Sequence, residues 1–470
     1  MKSRGSRAPK ALLAVAVAAS LLGVSSAQAS TRALTANVVT VRSHVVLAVV
    51  DTSVNVYHHD FAAPARTASP RTWLPGYPSS GRPLHLHLQE QDLAAARAKD
   101  DAAWAALKPG QLYYLPGTRF SGLIYLASPV DRATGQASVT YPPPPNPPRP
   151  VIDGYTYHGT GVASVAAGSK YGTCPDCDIV FVAADNLEDG LAWAARQPWI
   201  DVISNSWGGP LGVPTQVTGA HPDRAKAVSA SPASWAAASA GKAVVFASGN
   251  GVTDLGPTTH GTQHSLTWDS PYAGPPWVLT VGAAKATSGQ PTDWHNIPVD
   301  VIAQGEARPA ADFASLDGAE TFIGTSCAAP IAAGVLAEAL FRARVGTRDA
   351  HVGPTGGSLL TPSARPVGGP AADGRLTYLE LLDAARRVAE WKAFDPSTFT
   401  SDPMQAFSTP TTPAAYAYEG FGLLDKASIT PLTRILLGLT ALPSRPEMQQ
   451  WADFANTVRS ARWGAEPDPS

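Results

Sequence analysis

Three residues of this 470-residue chain stand where their side chains could do chemistry. In Phe322-Ile323-Gly324-Thr325-Ser326-Cys327-Ala328-Ala329-Pro330, the glycine permits a sharp turn and Ser326 then opens an Ala-rich helix. The first N–H groups and the dipole of such a helix face whatever the hydroxyl attacks, which is a nucleophile's setting. Pro330 is tolerated because first-turn N–H groups have no intrahelical acceptor. The same residues also suit a Ser or Thr that only caps a core helix. His158 begins the small-residue run His158–Gly168, whose pattern fits a helix packed tightly on a sheet and places an imidazole where it can enter a cleft. A lone histidine equally serves as a structural hydrogen-bonding group. Asp51 ends the apolar run Val45–Val50, and it is either a carboxylate at the functional edge of a sheet or an Asx turn closing a strand. A hydroxyl attacks only when a base removes its proton, so nucleophilic chemistry would need all three side chains in one place.

The elements that would position them follow from patterning. Val45–Val50 is continuous and mostly β-branched, as expected of a strand buried on both faces of a parallel sheet. Further strand patterns at Ile179–Val182, Val202-Ile203, Ala243–Ala247, Val278–Val281 and Val299–Ile302 alternate with helical ones near Leu187–Arg196, within Pro232–Ser239 and from Ser326 to about Arg344. That alternation predicts an α/β fold, a mostly parallel sheet with helices on both faces. A Gly/Pro-rich loop over 349–374 then leads to a helix from Tyr378 to Trp391. Residues 62–150 break the rhythm: a Pro/Ser/Arg-rich stretch to Pro83, a helical stretch from Gln89 to Leu107, two strand-like runs flanking Pro116-Gly117, and the extended spacer Tyr141–Pro150. The block reads as an insertion or subdomain between the first strand and the histidine helix.

Composition excludes several classes. With 44% hydrophobic and 15% charged residues the chain is globular and long enough for a large core. Residues 1–29 read as a secretory signal, with Lys2, Arg4, Arg7 and Lys10 before the apolar run Ala11–Val24 and Ala27-Gln28-Ala29 at the cleavage site. Beyond it, 31 basic face 37 acidic residues, a balance of −6 without a basic block, so nucleic acid is not an expected partner. No later stretch approaches about 20 uninterrupted apolar residues, so no membrane anchor is expected. Cys174 and Cys177 suit a short disulfide loop in an oxidising compartment, and Cys327 is left over as a buried thiol. His85 and His87 alternate as in a strand but lack a third ligand, no second cysteine pair completes a zinc set, and no Asp-rich loop marks calcium; neither metal nor cofactor is expected.

Five separated motifs, in order, resemble those of the subtilisin-like serine proteases, the subtilases. Val49-Val50-Asp51-Thr52-Ser53-Val54, with His58 and Asp60 beyond it, is similar to the aspartate motif, and His158-Gly159-Thr160-Gly161-Val162-Ala163 to the histidine motif. Asp201-Val202-Ile203-Ser204-Asn205-Ser206-Trp207-Gly208-Gly209 resembles the segment that pairs with an extended substrate, and Val244–Asn250 the strand that delivers an oxyanion-hole asparagine. Gly324-Thr325-Ser326 is similar to the nucleophile motif, and Gly420–Asp425 to the segment ending these domains. The resemblance implies a subtilisin-like three-layer fold over residues 40–428, with Asp51, His158 and Ser326 as the triad and Asn250 in the oxyanion hole. Ser206, Trp207 and Gly208 would bind substrate, by backbone hydrogen bonds and by a side-chain wall at Trp207, which otherwise is a core residue. In that chemistry His158 takes the serine proton, Asp51 holds the imidazole, and Asn250 with the Ser326 N–H binds the oxyanion.

The chain also departs from the family pattern. Ser53 stands where a glycine is usual, Gly161 where many relatives carry a second histidine, and 107 positions separate Asp51 from His158. The short stretch from Ser30 to Asp51 does not accommodate an amino-terminal prodomain. An α/β-hydrolase esterase is disfavoured, because its acid and histidine follow the serine, whereas here only His351 does. The expectation is a signal peptide over 1–29, a catalytic domain over 30–430 and a C-terminal extension over 431–470. The protein is then a secreted, monomeric serine endopeptidase acting on polypeptides. The alternative is a secreted binding module on a catalytically impaired subtilase fold.

Overall fold

Strand β1 (Val46–Asp51) is apolar from Val46 to Val50 because both faces and both edges are covered. Its partners are β5 (Asp178–Ala184) and β6 (Val202–Asn205), each parallel to it. The computed structural model describes residues 43–127, 158–208, 232–250, 267, 270, 272–350, 352–361, 368–394, 415–464 and 467. The signal-like residues 1–29 and the Tyr141–Pro150 spacer lie outside them. Among the described residues, nine strands form one sheet. The other members are β2 (Arg82-Pro83), β3 (Tyr113-Tyr114), β4 (Phe120–Leu126), β7 (Ala243–Ala247), β8 (Leu279–Ala284) and β9 (Val301–Gln304), in the order β2-β3-β4-β5-β1-β6-β7-β8-β9. Every pairing is parallel except β3 with β4. This is the α/β architecture that the alternation implies.

Helices cover both faces. Helix His158–Ala167 and helix Thr325–Thr347 pack so closely that a Cβ on Gly334 would lie 2.7 Å from the Ala166 carbonyl oxygen. Small residues are therefore required at that crossing. Thr325–Thr347 is apolar enough to span a membrane by composition, yet 83% of its apolar window is buried inside the fold, as befits a core helix. At its far end the buried Arg344 guanidinium meets the buried Asp201 carboxylate (2.6 and 3.1 Å), and Asp201 also accepts from the β1 backbone at Val46 (3.0 Å).

Within the 62–150 block, β2, β3 and β4 extend the same sheet, with β4 parallel to β5. Helix Leu93–Ala105, capped by Asp92, is tied to the loop after β1 by buried groups: the Tyr57 hydroxyl donates to Asp100 (2.8 Å), and the Trp104 indole donates to Tyr57 (2.8 Å). A hairpin that patterning does not announce, β10 (Arg308–Ala311) with β11 (Ala319–Phe322), leads directly into Gly324. Its turn is held by the same loop, through Asn55 Nδ2 to Ser315 O (2.8 Å) and His59 N to Leu316 O (2.8 Å). Described residues after 430 also reach the core. Helix Ile429–Leu436 straddles its start, and helix Pro446–Trp463 buries Met448, Trp451, Ala455 and Trp463.

Candidate active site

Asp51 is 1% exposed at the carboxyl end of β1, and its Oδ1 accepts the Thr52 N–H (2.7 Å). His158 is the first residue of its helix, and its Nδ1 lies 3.0 and 2.9 Å from the two Asp51 oxygens. The helix start reaches Asp51 only because Gly159 has no side chain: a Cβ there would sit 2.1 Å from the Ser53 carbonyl oxygen. Thr160 adds a second tether, its Oγ1 accepting the Asn55 N–H (2.8 Å). Burial pulls the His158 pKa down, but the Asp51 charge and hydrogen bond outweigh it and hold the imidazole above its ordinary 6.5. The imidazole remains 29% exposed. Phe322 meets the ring edge-on (centroids 5.8 Å apart), and Gly161 makes room for Phe322, since a Cβ would come within 3.0 Å of its ring.

Ser326 comes to the same edge from the other side. Val50 pairs with Asn205, so Asp51, the last residue of β1, and Ser206, the first beyond β6, follow as neighbours. Ser326 Oγ donates to the Ser206 carbonyl oxygen (3.1 Å), and Ser206 Oγ donates to the Ser326 carbonyl oxygen (3.0 Å). Gly324 has φ +102°, a conformation that favours glycine, and it turns the chain from β11 into the serine helix. In that first turn Thr325 N donates to Asn250 Oδ1 (2.9 Å), while Cys327 N donates to Gly324 O (2.9 Å). Thr325 Oγ1 also donates to Asn250 Oδ1 (2.8 Å). Two bonds on one amide oxygen fix the carboxamide and turn its nitrogen the other way. That nitrogen would be 3.2 Å from a Cβ on Gly324, beside the serine turn. Thr325 lies inside the nucleophile motif, yet its part in orienting Asn250 depends on a contact 75 positions away.

Trp207 follows Ser206 beyond β6 and packs edge-on against Phe246 (5.2 Å) and Tyr272 (5.0 Å), so its ring is anchored to the core while its backbone runs past Ser326. Gly208 is exposed beyond it. Ile323, 52% exposed, is the large apolar side chain next to Gly324. Cys174 and Cys177 are joined as a disulfide with Cα atoms 5.4 Å apart, and Cys327 is a buried thiol whose pKa burial pushes up to about 12. The neighbour of Ser326 in sequence is thus inert. His85 is exposed, and His87 Nδ1 is 2.6 Å from Asp100; among the described residues no cluster of three or more His, Cys, Asp or Glu could hold a metal.

A parallel α/β sheet with an acid, an imidazole and a helix-opening serine at its carboxyl edge has the parts of a serine hydrolase. The subtilase family profile matches residues 42–348; the chain belongs to that family and is a serine-type peptidase. Among solved structures it is similar to a cold-adapted subtilisin-like serine proteinase (18% identity, TM-score 0.38, covering 74% of this chain and 82% of that one). It is also similar to a mutant of the protease domain of PatA (16% identity, TM-score 0.42, covering 84% of this chain and 97% of that one). No curated protein matches it.

Proposed function

We propose that the protein is a secreted serine endopeptidase in which Asp51, His158 and Ser326 form the triad and Asn250 serves the oxyanion hole. The observation that carries this reading is the His158 Nδ1 contact to both oxygens of the buried Asp51, with the imidazole still partly exposed. Nδ1–H to Asp51 leaves Nε2 as the proton acceptor. The Ser326 Oγ–H bond then breaks toward Nε2 while Oγ bonds to the peptide carbonyl carbon. The resulting oxyanion takes hydrogen bonds from Asn250 Nδ2 and the Ser326 N–H. His158 passes its proton to the amine as the C–N bond breaks, and water attacks the acyl-serine by the same path in reverse. Ser206–Gly208, continuing past the end of β6, supplies backbone on which an extended substrate can add as a strand, which suits cleavage within chains. Secretion is supported by the signal-like residues 1–29 and by the Cys174–Cys177 disulfide.

A second reading, a binding module on an impaired fold, draws support from the Ser326 hydroxyl resting on Ser206 O. Hydrogen bonds of a catalytic serine often tighten only with substrate bound, so this does not displace the first reading. A fluorophosphonate probe followed by peptide mapping separates the two. Covalent label on Ser326, together with peptides released from a denatured protein mixture, is expected; a folded protein that takes no label would establish the binding module.

A further inference from the structure

The turn that carries Asn250 off β7 is built from Ser248 and Gly249. Ser248 N donates to Val281 O on β8 (2.9 Å), and Gly249 N donates to Thr325 Oγ1 (3.2 Å). Both carbonyls of the turn point to the opposite side, where Asn296 donates to each, and Gly249 O also accepts from Ser248 Oγ (3.4 Å). Asn296, 2% exposed in the loop between β8 and β9, gives its Nδ2–H to Ser248 O (3.1 Å) and its backbone N–H to Gly249 O (2.9 Å). The fit is close: a Cβ on Gly249, whose φ is +98°, would fall 2.4 Å from Asn296 Nδ2. A peptide unit is planar, so fixing a carbonyl also fixes the N–H and Cα that follow it. Holding Ser248 O and Gly249 O therefore sets the direction in which the Asn250 side chain leaves the turn.

We infer that Asn296 is a positioning residue for the oxyanion site, acting through the Ser248-Gly249 turn and never on the substrate. The inference rests on the assignment of Asn250 proposed above. A displacement of about 1 Å in a reacting constellation can cost about 10²-fold in rate. Losing one of the two clamps should slacken the turn by less, and we expect about a 10-fold fall.

The test is a double-mutant cycle with a peptide substrate, using Asn296→Ala, Asn250→Ala and the pair. Asn296→Ser, a smaller loss of polarity, stands in if the alanine variant does not fold. Both variants keep the backbone bond to Gly249 O. Asn296→Ala should lower kcat about 10-fold with KM within about twofold, and should lower it no further once Asn250 is alanine. Its effect on Tm should be the same in both backgrounds, which separates positioning from stability. A kcat within about twofold of wild type, or a fall by the same factor in both backgrounds, overturns the inference. If Asn250→Ala alone leaves kcat unchanged, the oxyanion assignment fails, and this inference fails with it.

Discussion

Ser326 and Ser206 hold each other by two reciprocal hydrogen bonds, each hydroxyl donating to the other residue's carbonyl oxygen (3.1 and 3.0 Å). One bond is dispensable to the fold and the other is not tied to the Ser326 side chain at all. A net hydrogen bond contributes about 1 kcal/mol, so freeing Oγ from Ser206 O costs little. Ser326→Ala keeps the Ser206 Oγ bond to the backbone of residue 326. It should abolish peptide hydrolysis and fluorophosphonate labelling while changing unfolding free energy by no more than about 1 kcal/mol. Retention of wild-type turnover by the purified variant would remove Ser326 from the chemistry.

The His158 pKa shift has a sign that kinetics can read. His158 must be neutral to accept a proton, and Asp51 holds its pKa above the ordinary 6.5 against the opposing pull of burial. Asp51→Asn removes the charge and leaves the burial. The acidic limb of kcat/KM should move to lower pH, and activity should fall by about 10⁴-fold, the cost of losing the orienting carboxylate. In the wild type, the raised pKa also stabilises the fold below pH 6.5, and this contribution is lost as pH rises through the folded value. An acidic limb that stays in place in Asp51→Asn would mean that His158 does not set it.

Gly161 tests whether Phe322 seats the imidazole. Alanine in a helix gains about 1 kcal/mol over glycine by propensity, but overpacking a core costs about 1–3 kcal/mol. A Cβ on Gly161 comes within 3.0 Å of the Phe322 ring, and the same ring meets His158, so the overpacking cost should win. Gly161→Ala is expected to lower both Tm and kcat/KM, and its partner Gly161→Ala/Phe322→Leu to recover Tm but not kcat/KM. Gly161→Ala with wild-type values for both would show that Phe322 yields freely and does not hold the ring.

How much of this was legible in the sequence depends on where each residue's partners lie. The central strands could be read because burial on both faces demands continuous apolar runs, as in Val46–Val50 and Ala243–Ala247. Asp51, His158 and Ser326 stood out as candidates because their motifs are local: His158 and Ser326 each have the glycines that their packing requires within three positions. The hairpin β10-β11 could not, since Arg308–Ala311 and Ala319–Phe322 are short and partly exposed and carry no apolar run. Asn296 was hidden for a different reason. Its partners Ser248 and Gly249 lie 48 and 47 positions earlier in the chain, and nothing near Asn296 marks it. Residues 431–470 read as a C-terminal extension, and within helix Pro446–Trp463 Met448, Trp451 and Ala455 recur at helical spacing and are buried.

The most polar-looking part of that helix is also its strongest anchor. Arg459 is 2% exposed and enters the core beside Asp300, its Nη1 3.0 and 3.3 Å from the two carboxylate oxygens, while its Nε donates to Gly274 O (2.8 Å). Burial pushes the Asp300 pKa up, but Arg386 and Arg459, with the Thr280 N–H, overcome that and hold it below the ordinary 3.8. Such a depressed carboxylate contributes stability that is present above the unfolded pKa and lost as pH falls through the folded one. Removing one partner of a buried pair costs about 3–5 kcal/mol, because the remaining charge is left in a poor environment. Arg386 Nη2 remains 3.3 Å from Asp300, so Arg459→Ala should fall at the lower end, about 3 kcal/mol at neutral pH. Without Arg459 the Asp300 pKa rises from its depressed wild-type position, so the variant takes up a proton at higher pH than the wild type. The stability gap between wild type and variant should therefore narrow as pH falls from neutral through the wild-type Asp300 pKa, which lies below 3.8. Denaturant unfolding at neutral and acidic pH measures both quantities. A loss under about 1 kcal/mol, or a gap that does not change with pH, would show that packing by Trp451 and Trp463 holds this helix and that the ion pair does not.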